Sequence, residues 1–430
     1  MRYNESDVIR VADETGVKFA ELLFCSVFGE LMSLTVPCAE LPEIFRSGFA
    51  LDASKLDGFM EISDTDLVLR PSPESMTVSA DGQLMRLFCN ISRPDGTPFE
   101  GDGRYYLYLT ADRARKMGLE LSIGLTGEYY LFMLDENGRP VKTPVDTACR
   151  CGAALHDSGA GLRREVCSLL EQWDIPVRSL CHGEGPGQSS VSLKPLPPML
   201  AADAYMLYMS ETRAAAQSSG LYASFMPMPL SDKSGSSLDI SIFCRENGAD
   251  VFRQTDGRVS ASAGKIIGGL IRSLPAMTLF LNSITNSYAR LERSQLLGKA
   301  AWSRTNADTA LRLRTAREGQ GELVLRSPDS SGNIYFSLGL IINACIEGVN
   351  QGISAPRPVK ADGTHSTGAD KLPTTLAEAI KAAEYDGFIR SVTDARMFAY
   401  LLEAKRRLCR DFEEVRDKES FETMRFFRTL

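Results

Sequence analysis

Histidine is scarce in this chain, with three in 430 residues, and no second cysteine pair at zinc spacing accompanies Cys149 and Cys151. Cys181 and His182 follow that C-x-C loop about 30 residues on, so a structural zinc site finds too few ligands and two free thiols are expected. Six further cysteines, Cys25, Cys38, Cys89, Cys167, Cys244 and Cys345, sit inside apolar runs, where the thiol behaves as a small buried hydrophobe. There is no basic stripe and no acidic tail; the net charge is −7 and the pI near 5.3, which argues against nucleic acid as a partner. The longest apolar run, around FSLGLIINACIEGV, is about 14 residues and contains Glu347, short of the roughly 20 that a membrane span requires. The segment MRYNESDVIR has no apolar signal-peptide core, so a cytoplasmic protein without membrane association is expected.

What is present points to a large α+β protein. At 430 residues the chain exceeds one typical domain. Residues 4–15 read as a helix with Val8, Ile9, Val11 and Ala12 inward, and KFAELLFCSVFGELMSLTV reads as two strands around a turn at Gly29. DLVLRPS and GQLMRLFCNI add strands. The stretch SRPDGTPFEGDGR is dense in turn formers and predicts a boundary, giving a sheet-rich domain over 1–101 and a larger one over 102–430. In the second, helical patterns at Ala111–Lys116, Arg163–Trp173, Ala201–Ala214, Gly264–Leu281 and Ile334–Val349 alternate with strand patterns. A polar loop from Ser354 to Lys371 precedes helices at Leu376–Ala383 and Ala395–Lys418.

Four of the strand patterns place polar residues among alternating apolar ones. Side chains two apart on a strand share a face, so Thr126, Glu128 and Tyr130 go together, as do Ser237, Asp239 and Ser241, Arg312 and Arg314, and Glu322, Val324 and Arg326. Acids and arginines on such faces predict a polar cavity lined by a curved sheet, suited to an anion, a phosphate or a metal.

The order of motifs along the chain resembles the glutamine synthetase family. FMEISDTDLVLRPSPES is similar to G-x-ESDM-x-LxPD, LTGEYYLF to the strand with two glutamates bracketing one residue, and CHGEGPGQSSV to H-H-E-x-APGQ-x-E. ASFMPMPLSDKSGSSLDIS is similar to the TFMPKP stretch and its G-S-G-M-H loop, and TNSYARL to TNSYKRL. WSRTNADTALRLR resembles the N-R-x-x-x-I-R strand, and LRSPDSSGNIYFSLGLIINACIEGV resembles VRFPDP-x-ANPY and its helix.

That resemblance implies a small β-grasp N-terminal domain and a large C-terminal domain whose curved antiparallel sheet, flanked by helices, forms a funnel. It also implies a ring, commonly a dodecamer, with sites between neighbouring subunits. The implied reaction is ATP-dependent joining of ammonia to the side-chain carboxylate of glutamate, with Mg²⁺ or Mn²⁺ neutralising phosphoryl charge. By the same resemblance Arg290 and Arg326 hold the amino-acid substrate, Gly235 offers a backbone contact, Arg312 faces phosphate, and Asp52 serves the neighbouring subunit's site. Glu128, Glu184 and Asp239 are the carboxylates left for metal.

Several positions depart from the pattern. Carboxylates become Thr126, Gly183, Ser190 and Val324, a metal-binding histidine becomes Asp239, and an arginine becomes Ala307. Gln295 or Leu296 stands near the flap glutamate, and Lys55 follows Asp52. Two readings result. The first is a binding, regulatory or co-assembling relative without ordinary ligase activity, partnered with itself or with an active paralogue, in which ATP and metal are dispensable. The second is a carboxylate–amine ligase with altered substrate and fewer metals. Either takes a small anionic ligand.

Overall fold

The computed structural model describes residues 3–59, 66–79, 82–151, 156–253, 259–315, 319–365 and 368–430. The centre of the FMEISDTD motif, residues 60–65, lies outside the described residues.

Helix α1 (Glu5–Thr15) is closed at its start by a capping box, in which Asn4 and Asp7 satisfy each other's backbone N–H groups. Its buried stripe is Val8 and Ala12; Ile9 and Val11 are only half-buried. Strands β1 (Phe19–Cys25) and β2 (Leu31–Pro37) form the expected hairpin, turning at Gly29 with φ +92°. A side chain at that glycine would place its Cβ 2.8 Å from the Asn333 Cα, so the turn tolerates neither strain nor bulk. After α2 (Leu41–Ser47) come β3 (Phe49–Asp52), β4 (Asp66–Pro71), the short β5 (Thr77–Val78) and β6 (Leu84–Ser92). The six strands run in the order β2-β1-β6-β4-β3, with β5 beside β6 and only β1 and β6 parallel. They cover a separate core that includes Leu22, Leu41, Phe59 and Leu87.

The connection into the larger unit is fixed by Asp102. Its carboxylate caps α3 (Gly103–Lys116), accepting from the Arg104 and Tyr105 N–H groups at 2.9 and 3.1 Å, while its other oxygen accepts from Ile91 N–H at 2.7 Å. One side chain therefore ties the end of a strand to the start of a helix.

The second sheet has ten strands. Its main path contains β7 (Leu119–Leu134), β9 (Val177–His182), β10 (Gln188–Leu193), β12 (Leu238–Glu246), β14 (Trp302–Ser303), β15 (Leu311–Thr315) and β16 (Gly321–Leu325). The order is β14-β15-β16-β12-β7-β10-β9, antiparallel except between β14 and β15. Strands β8 (Pro140–Pro144) and β11 (Tyr222–Ser224) pair with β7, and β13 (Ala249–Asp250) with β12. The helices on this sheet are α4 (Ala160–Gln172), α5 (Pro198–Ser218), α6 (Ala261–Leu281), α7 (Thr285–Glu292) and α8 (Ile334–Gln351). They are followed by α9 (Leu376–Glu384), α10 (Gly387–Val392), α11 (Ala395–Glu414) and α12 (Lys418–Phe426).

One apolar helix is longer than the run at FSLGLIINACIEGV, and two expectations are corrected. Helix α6 is long and apolar enough, by length and composition, to cross a membrane; 78% of that window is buried within the protein, where α6 packs on α8 as a core helix. The predicted helix from Ala395 to Lys418 stops at Glu414, because Val415 is extended and Asp417 caps a new helix by accepting from Ser420 N–H at 2.9 Å. Cys38 and Cys167 are half-buried instead of buried.

Candidate functional site

The predicted polar faces converge. Register places Thr126 opposite Asp239 on β12 and opposite Ser192 on β10, and Glu128 opposite Ser190. On the other side Ser241 lies opposite Val324, which lies opposite Arg312. Directly opposite residues of an antiparallel pair share a face, so all of these line one side of the sheet. Of the positions that depart from the resembled pattern, Thr126, Ser190, Asp239 and Val324 therefore lie on the same face as Glu128 and Arg312.

Glu128 and Asp239 are the carboxylates at its centre. Glu128 Oε2 accepts from the Ser237 N–H at 2.9 Å and from its hydroxyl at 3.0 Å. Ser237 was expected on the Asp239 strand face; it lies just before β12 and acts as a donor to Glu128. Burial pushes the Glu128 carboxyl up, opposed by the Ser237 N–H and reinforced by Asp239. Asp239 is likewise pushed up by burial and pulled down by Arg326, Arg290 and Arg314. Its Oδ2 lies 3.6 Å from Arg326 Nε, and its buried Oδ1 has no hydrogen-bond partner.

Arg290 on α7 is almost fully buried. It donates to the Ser327 and Pro328 carbonyls, the latter at 2.9 Å, and lies 4.0 Å from Asp329, leaving Nε unpaired. Burial lowers its pKa, partly offset by Asp329, Asp239 and Glu128. Gly235 is packed on this arginine: a Cβ there would sit 2.6 Å from Arg290 Cγ. Arg312, two strands from Asp239, also has a buried Nε without a partner. Two buried guanidinium N–H groups without acceptors are a stated cost that a bound anion relieves.

Glu184 stands apart from Glu128 and Asp239. It is exposed, pairs with Arg150 at 3.2 Å and accepts weakly from Ser234 at 3.4 Å. Arg150, from the Cys149–Cys151 loop, also feels the Glu128 charge and adds a cation near it that the strand pattern did not reveal. Asp52 is exposed at the end of β3, accepting from Ser54 N–H at 2.9 Å. Glu322 is fully buried in a two-pronged pair with Arg314 at 2.8 and 3.0 Å.

Cys181 lies near Cys151 of the thiol loop, while His182 is engaged elsewhere, so Cys149, Cys151, Cys181 and His182 do not form a zinc set. His182 faces Gly183 O at 2.9 Å and Asp146 Oδ1 at 3.0 Å, and all ten cysteines are free. Among the described residues, Asp146, Asp157 and His182 bring their ligand atoms within 4.8 Å of one another. Asp146 also accepts from the Gly187, Ala148 and Ser158 N–H groups and Asp157 Oδ2 is paired with Arg163, which braces two loops, while Asp157 Oδ1 is buried without a partner.

Family models identify the whole arrangement. One described as "Glutamine synthetase, catalytic domain" matches residues 100–424, and one described as "Glutamine synthetase, beta-Grasp domain" matches residues 16–94. The chain belongs to the glutamine synthetase family. Among its relatives, the glutamine synthetase of Clostridium saccharobutylicum is 30% identical across 93% of this chain and 99% of its own. That of Thermus thermophilus is 28% identical across 94% and 95%. A solved structure described as "Apo GmaS without ligand" superposes with a TM-score of 0.86 at 23% identity, over 98% of this chain and 100% of that one. A cryoEM structure of the Plasmodium falciparum glutamine synthetase gives 0.85 at 16% identity, over 99% and 100%. At those identities the two structures show the fold alone.

The central face does not fit two or three divalent ions. Mg²⁺ takes about six oxygens with charge-neutralising carboxylates. Here Thr126 spends its hydroxyl on Ser192 at 2.9 Å, Ser190 and Val324 carry no charge, and Asp239 already faces Arg326. Asp239 Oδ1, which has no partner, and Glu128 Oε1, whose sister oxygen takes both Ser237 donors, leave two carboxylate ligands for metal. Guanidinium groups outnumber carboxylates, so the arrangement is suited to an anion.

Proposed function

We propose that this glutamine synthetase family member binds a small carboxylate-bearing ligand through Arg290, Arg312 and Arg326 and does not carry out ordinary glutamine synthesis. It acts as a binding or regulatory protein, as a homo-oligomeric ring or by co-assembly with an active paralogue. The observation that carries this reading is the charge balance of one sheet face: Glu128 and Asp239 stand against three arginines, two of which have buried, unpaired Nε groups. A carboxylate ligand satisfies those donors without a metal.

Phosphoryl transfer depends on positioned metal and cationic groups, and a single transition-state arginine contributes on the order of 10³ or more in rate. Thr126, Ser190, Val324 and Ala307 remove both kinds of support. The test is ATP-dependent phosphate release with L-glutamate and ammonium, run beside a variant carrying Thr126→Glu, Ser190→Glu, Val324→Glu and Ala307→Arg. The wild type is expected to show no glutamate-dependent release, and the variant to gain some. Wild-type turnover in the ordinary enzyme range, about 1–10³ per second, would refute the proposal.

A carboxylate–amine ligase with a different amine is favoured by one observation, the unpaired buried Asp239 Oδ1, which can take one cation. Phosphate release that depends on an amine other than ammonia would establish it.

A further inference from the structure

A cavity of about 1310 Å³ lies away from the sheet face, between the β1–β2 turn, α5, α11 and α12. Its wall is a mixture, with Leu31, Met206 and Leu408 beside Arg213, Arg407 and Arg425. Among the charged residues of that wall Lys405 of α11 is the buried one, 7% exposed. A lysine ammonium carries three donors, and buried charges are ordinarily paired. Among the described residues Lys405 has no hydrogen-bond acceptor and no ion pair. Its neighbours are the Phe28 ring, 5.5 Å from Nζ, and, farther off, the Glu30 carboxylate and the Cys409 thiol.

We infer that this cavity is a second ligand site, which takes a carboxylate with an apolar body, its carboxylate on the Lys405 ammonium. The ammonium offers donors to an acceptor, and Leu31, Met206 and Leu408 offer hydrocarbon contact. Glu30 and Asp57 line the same cavity, but Arg213, Arg396, Arg407 and Arg425 stand on the same wall, so cations outnumber acids and the charge balance favours an anion. Phe28 and Tyr400 stack at 5.7 Å and form a flat apolar surface beside the ammonium. Burial also draws the Lys405 pKa down to about 8, as expected of an ammonium without a full counter-charge. Free α-amino acids with apolar side chains and short branched fatty acids share this chemistry.

The inference does not depend on the reading of the sheet face, and its test uses different ligands. L-leucine and 4-methylpentanoate are titrated calorimetrically into the full-length protein, with 3-methylbutylamine as the probe lacking a carboxylate. At least one carboxylate is expected to bind saturably below about 10 mM, with Lys405→Met weakening it at least about 10-fold, Lys405→Arg retaining it and the amine silent. Binding of leucine alone assigns an amino acid; binding of both assigns the carboxylate and apolar body as sufficient. No binding of either carboxylate, equal binding to Lys405→Met, or equal binding of the amine overturns the inference. Should Lys405→Met fail to fold, acylation of wild-type Lys405 by an N-hydroxysuccinimide ester, read by peptide mass spectrometry, replaces it. The carboxylate that binds is expected to slow labelling by about threefold or more, and unchanged labelling overturns the inference.

Discussion

At the residue scale, the functional reading rests on which groups around Glu128 and Asp239 are charged. Asp239 partly neutralises Arg326 and Arg290, so Asp239→Asn is expected to tighten L-glutamate binding several-fold, on the order of 1 kcal/mol, measured by calorimetry in EDTA. Unchanged or weaker L-glutamate binding by the variant would contradict this charge balance. Gly235→Ala would drive a methyl group into the Arg290 side chain and against the Pro227 carbonyl, and is expected to weaken the same binding about 10-fold or more by calorimetry, with some loss of stability in urea unfolding. Much of this site was legible in sequence, because alternation on a strand fixes which side chains share a face. Thr126, Glu128, Asp239, Arg312 and Val324 lie on one face as their spacing required. Ser237 and Arg150 were not legible as partners, since one precedes its strand and the other reaches the site from a distant loop.

At the element scale, single polar side chains join segments that the hydrophobic pattern leaves independent. Asp102 both caps α3 and accepts from Ile91 N–H. Its replacement by alanine is expected to cost about 2–4 kcal/mol in urea unfolding, combining a lost cap with an orphaned buried N–H. A cost below about 0.5 kcal/mol would show that water serves those donors as well. The fully buried Glu322 holds Arg314, whose guanidinium is partly exposed, so Glu322→Ala should cost about 1–3 kcal/mol, less than a fully buried pair would. The long helices and the β1–β2 hairpin were legible because their periodicity extends over many residues. The shorter α7 and α10 were not, and the break between α11 and α12 depends on a cap at Asp417 that competes with a continuous amphipathic pattern.

At the scale of the whole molecule, the two sheets and their separate cores agree with the two-part organisation that composition and the family resemblance implied. Asp52 lies exposed on the smaller sheet, so its contribution to any site requires a neighbouring subunit, and light scattering of the purified protein is expected to show a ring-sized assembly. The pH response of stability belongs to this scale as well. Lys405 releases its proton near pH 8 when folded and near 10.5 when unfolded, so between those values the unfolded chain binds more protons and stability rises with pH. Against Lys405→Met, the wild type should gain up to about 2 kcal/mol between pH 7.5 and 9.5 in urea unfolding. The cavity that holds this lysine was not legible in sequence, since its walls come from segments far apart along the chain.

Whether the arginine-rich face accepts a metal nucleotide separates a carboxylate-binding protein from a ligase. MgATP titrated calorimetrically into the purified assembly, with and without L-glutamate, tests this most directly. No magnesium-dependent heat at millimolar nucleotide is predicted, with L-glutamate binding unaffected by EDTA. Saturable binding of ATP that requires magnesium would contradict the account and make the ligase reading the correct one.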